Sequence, residues 1–218
     1  MEGLVNIAGA TLKWVGFGLS PLLLLPLAVL VVPRAVHRPS VALSALIDRI
    51  CGVALTTAMV AAFAIIMIQL VAVLLRYVFG LSFSWLNDSI IFGFAMIFML
   101  GAAATLRDDG HVRVDILRPR FSPQARAIIE MIGAMAFISP IGALILYAGA
   151  GSLARSWAGL EPFNESDGLQ VKYLFKTLVP VFAVLMMAQG LSMALKAALS
   201  LRGLRAFEDA TPHHEGQA

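Results

Sequence analysis

Five apolar stretches, residues 14–32, 50–75, 85–106, 128–154 and 174–201, fill more than half of this chain, and none has an ionisable side chain near its middle. A helix rises 1.5 Å per residue, so about 20 apolar residues cross the roughly 30 Å hydrocarbon layer of a bilayer. Hydrophobic residues make up 60% of the chain and charged residues 13%. Soluble domains carry about 25% charged residues. A chain this apolar cannot clothe itself in polar surface. The expected fold is an all-α integral membrane helical bundle with four core transmembrane helices and an extra N-terminal one.

The first stretch is short and is interrupted by Pro21 and Pro26. Proline is tolerated in a membrane helix when neighbours satisfy the freed carbonyl. An interfacial segment and a cleaved signal peptide are the alternatives to a true span. Against the signal stand the length of the apolar run, Glu2 near the start and the lack of a small-residue cleavage site. Three parts follow: residues 1–38, an N-terminal segment with a basic linker; 39–206, the four-helix domain; and 207–218, a polar tail.

Basic residues set the expected orientation. Eleven Lys and Arg fall on one side, among them Arg34, Arg49, Arg107, Arg113, Arg118 and Lys196; five fall on the other, Lys13, Arg76, Arg155, Lys172 and Lys176. The positive-inside rule places the eleven in the cytoplasm, with the C-terminus, and the N-terminus on the opposite side. Trp14, Trp85 and Trp157 then share the outer boundary, where an apolar ring with one N–H is best accommodated.

Ion or proton pumping normally needs charged or titratable groups at depth, and here the charges keep to the helix ends. The four histidines all lie outside the apolar stretches, which counts against axial haem ligands. Cys51 is the only cysteine, so neither an intrachain disulfide nor a cysteine metal cluster can form. No catalytic, cofactor or metal residues are expected. Asp108, Asp109 and His111 match no standard ligand spacing and read as a solvated loop.

The connections carry further signals. Leu43, Leu46, Ile47 and Ile50 form an apolar stripe over 40–49, with Ser40, Ser44 and Asp48 on another face. Two readings fit: a separate helix along the inner surface, or the second span extending into the headgroups. Residues 80–84 make a tight hairpin, flanked by Arg76 and Asp88, which either pair across it or reach water separately. Ser122-Pro123 reads as an N-cap with proline at the first helical position. The loop 157–173, with Glu161, Glu165 and Asp167, is the best outward contact surface. Gln69 and Gln189 are the deep amides, suited to hydrogen bonds between helices.

From Asp48 onward the chain resembles the small membrane subunit of TRAP (tripartite ATP-independent periplasmic) transporters, the DctQ type. The residues that carry this are Arg76-Tyr77-Val78-Phe79-Gly80, Ser84-Trp85, Gly101-Ala102-Ala103 followed by Arg107 and 110–115, and Glu165-Ser166 leading to Lys176, Pro180 and Gln189. The chain departs from the family pattern at Asn87-Asp88, where paired acids are common, and at 171–173, where a Pro-Trp pair is common. The resemblance implies a non-enzymatic four-helix scaffold in a bacterial inner membrane. It supports a large permease subunit and the docking of a periplasmic solute-binding protein, for sodium-driven symport of an organic acid.

Under that resemblance, Arg76, Trp85, Asn87, Asp88, Glu161, Glu165, Asp167 and Lys176 are the expected contacts to the large subunit or the binding protein. Arg107, Arg113 and Arg118 set topology and meet anionic lipid. The rival functions are a membrane anchor for a redox enzyme, which needs haem ligands in the spans, and a self-contained multidrug exporter, which needs an embedded acid.

Overall fold

The computed structural model describes residues 24–108, 110, 121–163 and 167–204, apart from the side chains of 33–35. Among them every regular element is helical: α1 (Leu25–Val31), α2 (Pro33–Val78), α3 (Ser84–Arg107), α4 (Pro123–Gly133), a π-turn (Ala134–Ile138), α5 (Ser139–Ala158) and α6 (Lys172–Leu201). Four helical segments are long and apolar enough to cross a membrane: Val36–Val78, Ser84–Arg107, Pro123–Ala158 and Lys172–Leu201. They contain the four core spans expected from hydropathy, and they alternate in direction.

The extra N-terminal span is not established. Residues 14–23 lie outside the described ones, and the seven residues of α1 extend only about 10 Å, too little to cross. Val32, at φ −127 and ψ 67, breaks the chain between α1 and α2.

Helix α2 is one continuous element of 46 residues, about 69 Å long. It runs through 40–49 without interruption, so that stretch is the extension of the second span and not a separate helix. Its burial is the reverse of a soluble amphipathic helix. Ser40, Ser44, Ile47 and Cys51 are buried, while Leu46 and Ile50 are exposed. Lipid tails are as apolar as leucine, so large side chains gain little by turning inward. Beside Ile47, small and polar side chains turn inward, where they allow close approach.

Helix α6 is the central post. In its most apolar stretch 56% of residues are buried, against 11% in α2. It contacts α1, α2, α3, α4, the π-turn and α5. Its buried face is built largely of Ala183, Gly190, Ser192, Ala194, Ala197 and Ala198, interleaved with Leu191, Leu195 and Leu199. Opposite it, Gly142 of α5 lies so near that an added Cβ would fall 2.3 Å from Cγ of Met187. A glycine there is what lets the two helices meet.

The span Pro123–Ala158 contains a cap and a π-turn whose chemistry is visible in its sequence. Ser122 caps α4, its Oγ accepting the N–H of Ala125 at 3.2 Å with Pro123 in the first turn, as expected. The π-turn precedes Pro140, whose ring would clash with the carbonyl of Ala136 in a regular helix. Ser139 donates to the carbonyl of Ala134, 3.0 Å away and five residues back. At the end of α2, Gly80 adopts φ +66, and Leu81 N–H returns to the carbonyl of Leu75 at 3.0 Å, closing the tight hairpin.

Candidate interaction surface and its internal supports

The bundle has two chemically different ends. Trp85 and Trp157 mark one; Trp14 lies outside the described residues. Arg49, Arg107 and Lys196 mark the other. At the tryptophan end the loop after α5 is stitched onto the start of α3. No side chain of the N-cap residue Phe83 caps α3, but Asp167 Oδ2 accepts Ser84 N–H at 3.0 Å. That hydrogen bond, placed at the positive end of the helix dipole, holds the Asp167 carboxyl below its ordinary range. One turn further in, Asp88 is 8% exposed and accepts Leu169 N–H at 3.0 Å. Leu169 in turn accepts Phe163 N–H at 2.9 Å.

Glu161 anchors the same loop from the other side. Its carboxylate takes hydrogen bonds from Lys176, from Lys172 at 2.9 Å and from Ser156 Oγ at 2.7 Å. Those donors, Lys176 first, hold its pKa down to about 2. Trp157 donates its indole N–H to Thr177 Oγ1 at 2.9 Å and meets Tyr173 edge-on at 4.9 Å. Phe175 touches both Phe92 and Phe163, tying the loop to α3 and α6 through rings.

The expected contact residues thus divide into two groups. Asp88, Glu161, Asp167 and Lys176 are engaged inside the chain and shape the loop. Arg76, Trp85 and Asn87 are exposed. The Arg76–Asp88 pair does not form: Asp88 faces the loop backbone, and Arg76 makes no ion pair among the described residues. Instead Arg76 and Asn87 line one cleft of about 150 Å³ between the last turns of α2 and the first of α3, with Gln69, Tyr77 and Phe83. Trp85 stacks obliquely on Phe83, with ring centres 6.2 Å apart. Glu165, Arg113 and Arg118 lie outside the described residues.

At the basic end the structure assembles a cluster that the sequence reading did not join. Asp48 of α2 accepts from Lys196 at 2.6 Å, Ser192 Oγ at 3.1 Å and Gln189 Nε2 at 3.4 Å, all from α6. The Cys51 thiol donates to Gln189 Oε1 at 3.2 Å. Arg107, closing α3, donates to the backbone carbonyl of Asp48 at 3.1 Å and grips Asp108 through two bonds of 2.7 and 2.9 Å. That guanidinium keeps the Asp108 carboxyl below its usual range. Three spans are therefore clasped at one level. Gln189 makes the interhelical bonds expected of it; Gln69 makes none among the described residues.

This arrangement holds helices together, and it leaves the middle of each span without an acid, base or histidine. Residues 50–75, 89–106, 131–154 and 177–195 contain no Asp, Glu, Lys, Arg or His. Searches of curated proteins and of solved structures return no match. The profile of the family described as tripartite ATP-independent periplasmic transporters, DctQ component, matches residues 65–199, more than half of the chain and all but the first part of the four-span bundle. The protein is a multi-pass membrane protein and belongs to that family, as a small membrane component of a TRAP transporter.

Proposed function

We propose that this chain is the stationary scaffold of a sodium-driven organic-acid importer in a bacterial inner membrane. The observation that carries this reading is the division of labour in its polar groups. Asp48, Arg107, Gln189, Ser192 and Lys196 are spent on clasping helices to one another, and the middle of each span is left without charge. An elevator-type carrier, whose substrate-holding part moves bodily through the membrane, needs a stationary partner, and such a partner needs no ion site of its own.

In this reading Arg76, Trp85 and Asn87 meet the large permease subunit, with Asp88 setting the shape of that surface from behind. The loop carrying Glu161, Glu165 and Asp167 is offered to a solute-binding protein, and Lys176 holds Glu161 in place. Arg107, Arg113 and Arg118 lie on the cytoplasmic side with the C-terminus and meet anionic headgroups. The N-terminus begins on the periplasmic side if the first apolar stretch crosses.

Purification under mild detergent tests it. The chain is expected to bring down a large polytopic protein. The two reconstituted together, with a soluble receptor, are expected to take up an organic anion only under a sodium gradient. Uptake by this chain alone in sealed vesicles would refute the scaffold reading.

A further inference from the structure

Gln69, on the tryptophan-end half of α2, is left unexplained by the contacts among the described residues. It is exposed on α2, within residues 50–75, where the neighbouring Ile66, Leu70 and Val73 face outward too. Its amide hydrogen-bonds to nothing among the described residues, and neither do the side chains of Arg76 and Asn87. All three line the same cleft. Gln189, the other deep amide, has both its oxygen and its nitrogen occupied. An amide left facing hydrocarbon is costly, because nothing in the lipid can replace its lost hydrogen bonds with water.

The spacing says what kind of partner would meet these groups. Gln69 and Arg76 are seven residues apart, so they share a face and differ in depth by about 10 Å. A phospholipid presents its polar atoms from the phosphate down to the ester carbonyls, a span shorter than the roughly 10 Å between these two side chains. Its phosphate would reach Arg76 and Asn87, and its acyl chain would then lie against Gln69. A polypeptide helix presents polar groups at both levels. Running beside α2, it could place an acid against the guanidinium and an amide or hydroxyl two turns deeper.

We infer that the Gln69–Arg76–Asn87 cleft seats a transmembrane helix of the large permease subunit, which carries a carboxylate at the boundary and a hydrogen-bonding side chain about two turns below it. This rests on the scaffold reading above and adds the site and chemistry of contact. Gln69 is then the positioning group that fixes the depth of the partner helix, and Arg76 the group that selects an acidic residue. The long apolar flank of α2, with Val60, Phe63 and Ile66 exposed, continues the same seat toward the basic end.

Gln69→Leu and Arg76→Ala test this, since both side chains are exposed and neither is held by the fold. Each is expected to leave the thermal unfolding of the isolated chain unchanged. Gln69→Leu should lower recovery of the large subunit about threefold, the scale of one lost neutral interhelical hydrogen bond, and Arg76→Ala about thirtyfold, the scale of one lost charged hydrogen bond. A photo-reactive residue at Val73 is expected to cross-link to the large subunit. Equal recovery by wild type and both variants would overturn the inference while leaving the scaffold reading intact. So would a Val73 adduct with phospholipid alone, or an Arg76-dependent bound phospholipid with subunit recovery unaltered. Failure of the wild-type chain to recover any polytopic partner would instead defeat the scaffold reading, and this inference with it.

Discussion

Removing Asp48 is expected to loosen the bundle more than any other single truncation at the basic end. The carboxylate takes an ion-paired bond from Lys196 and two further bonds from the uncharged donors Ser192 and Gln189, the second of them long at 3.4 Å. A hydrogen bond to a charged group contributes about 2 kcal/mol. A side-chain bond between membrane helices contributes about 0.6 kcal/mol on average, and each of the two uncharged donors counts as one such bond. Asp48→Ala should therefore cost about 3 kcal/mol. Lys196→Met removes only the charged partner and should cost about 2 kcal/mol. That is below the roughly 3–5 kcal/mol of a fully buried broken pair, because the two side chains keep 28% and 26% of their surface. At about 2–4 °C per kcal/mol for a chain of this size, the Tm in detergent should fall by about 6–12 °C and about 4–8 °C respectively. Asp48→Ala combined with Lys196→Met should cost less than the two changes added together, by about 1–2 kcal/mol of coupling. The readout is thermal unfolding followed by size-exclusion recovery, with the four proteins in one detergent. Additive effects would show that the pair contributes nothing as a pair. An unchanged Tm in both single variants would refute the clasp altogether.

Gly142→Ala should destabilise by about 1–3 kcal/mol through overpacking against buried Met187, and adding Met187→Ala should restore much of the loss. Gly149→Ala, whose added methyl would meet nothing within 4 Å, should be neutral or slightly stabilising by the same thermal assay. The Glu161 pKa lies below its ordinary value, so its contribution to loop anchoring is fully present above pH 4.5 and is lost as pH falls toward about 2. Hydrogen exchange in the 159–171 loop of the wild type should accelerate across that window, and Glu161→Gln should remove that part of the pH dependence. Asp167→Ala should fray the first turn of α3, seen as faster exchange of the Ser84 amide, with little effect on the 48–196 clasp.

The helical class and the four core spans were legible because length and hydropathy are properties of single segments. So was the Ser122 cap, which depends on two adjacent residues. The face by which α2 enters the bundle was not. Leu43, Leu46, Ile47 and Ile50 look like a core stripe by the logic of water, and in lipid Leu46 and Ile50 point outward. The Asp48 cluster was hidden because it joins residues more than 140 apart, yet it left a trace. Gln189, Ser192 and Lys196 recur at i, i+3 and i+7 on α6, opposite a stripe of Ser44, Asp48 and Cys51 on α2. Two polar stripes at one depth are a signal that pairing could have used. The roles of Asp88 and Asp167 were obscured for a different reason. An acid beside a span looks like an outward contact, and only the path of the following loop shows that its backbone claims the oxygens.

The unbroken length of α2 ties the two surfaces of the membrane to one rod. Arg107 reaches the backbone at Asp48 from the far end of a single-span helix, so residues 33–47 stand beyond that level, an overhang of about 20 Å. A grip on residues 69–77 therefore also aims the overhang. Because Asp48 clasps the rod to α3 and α6, tilting the whole bundle by about 10° about the grip at 69–77 would swing the rod's tip by about 10 Å, so a small change of seating on one side of the bilayer becomes a large displacement on the other.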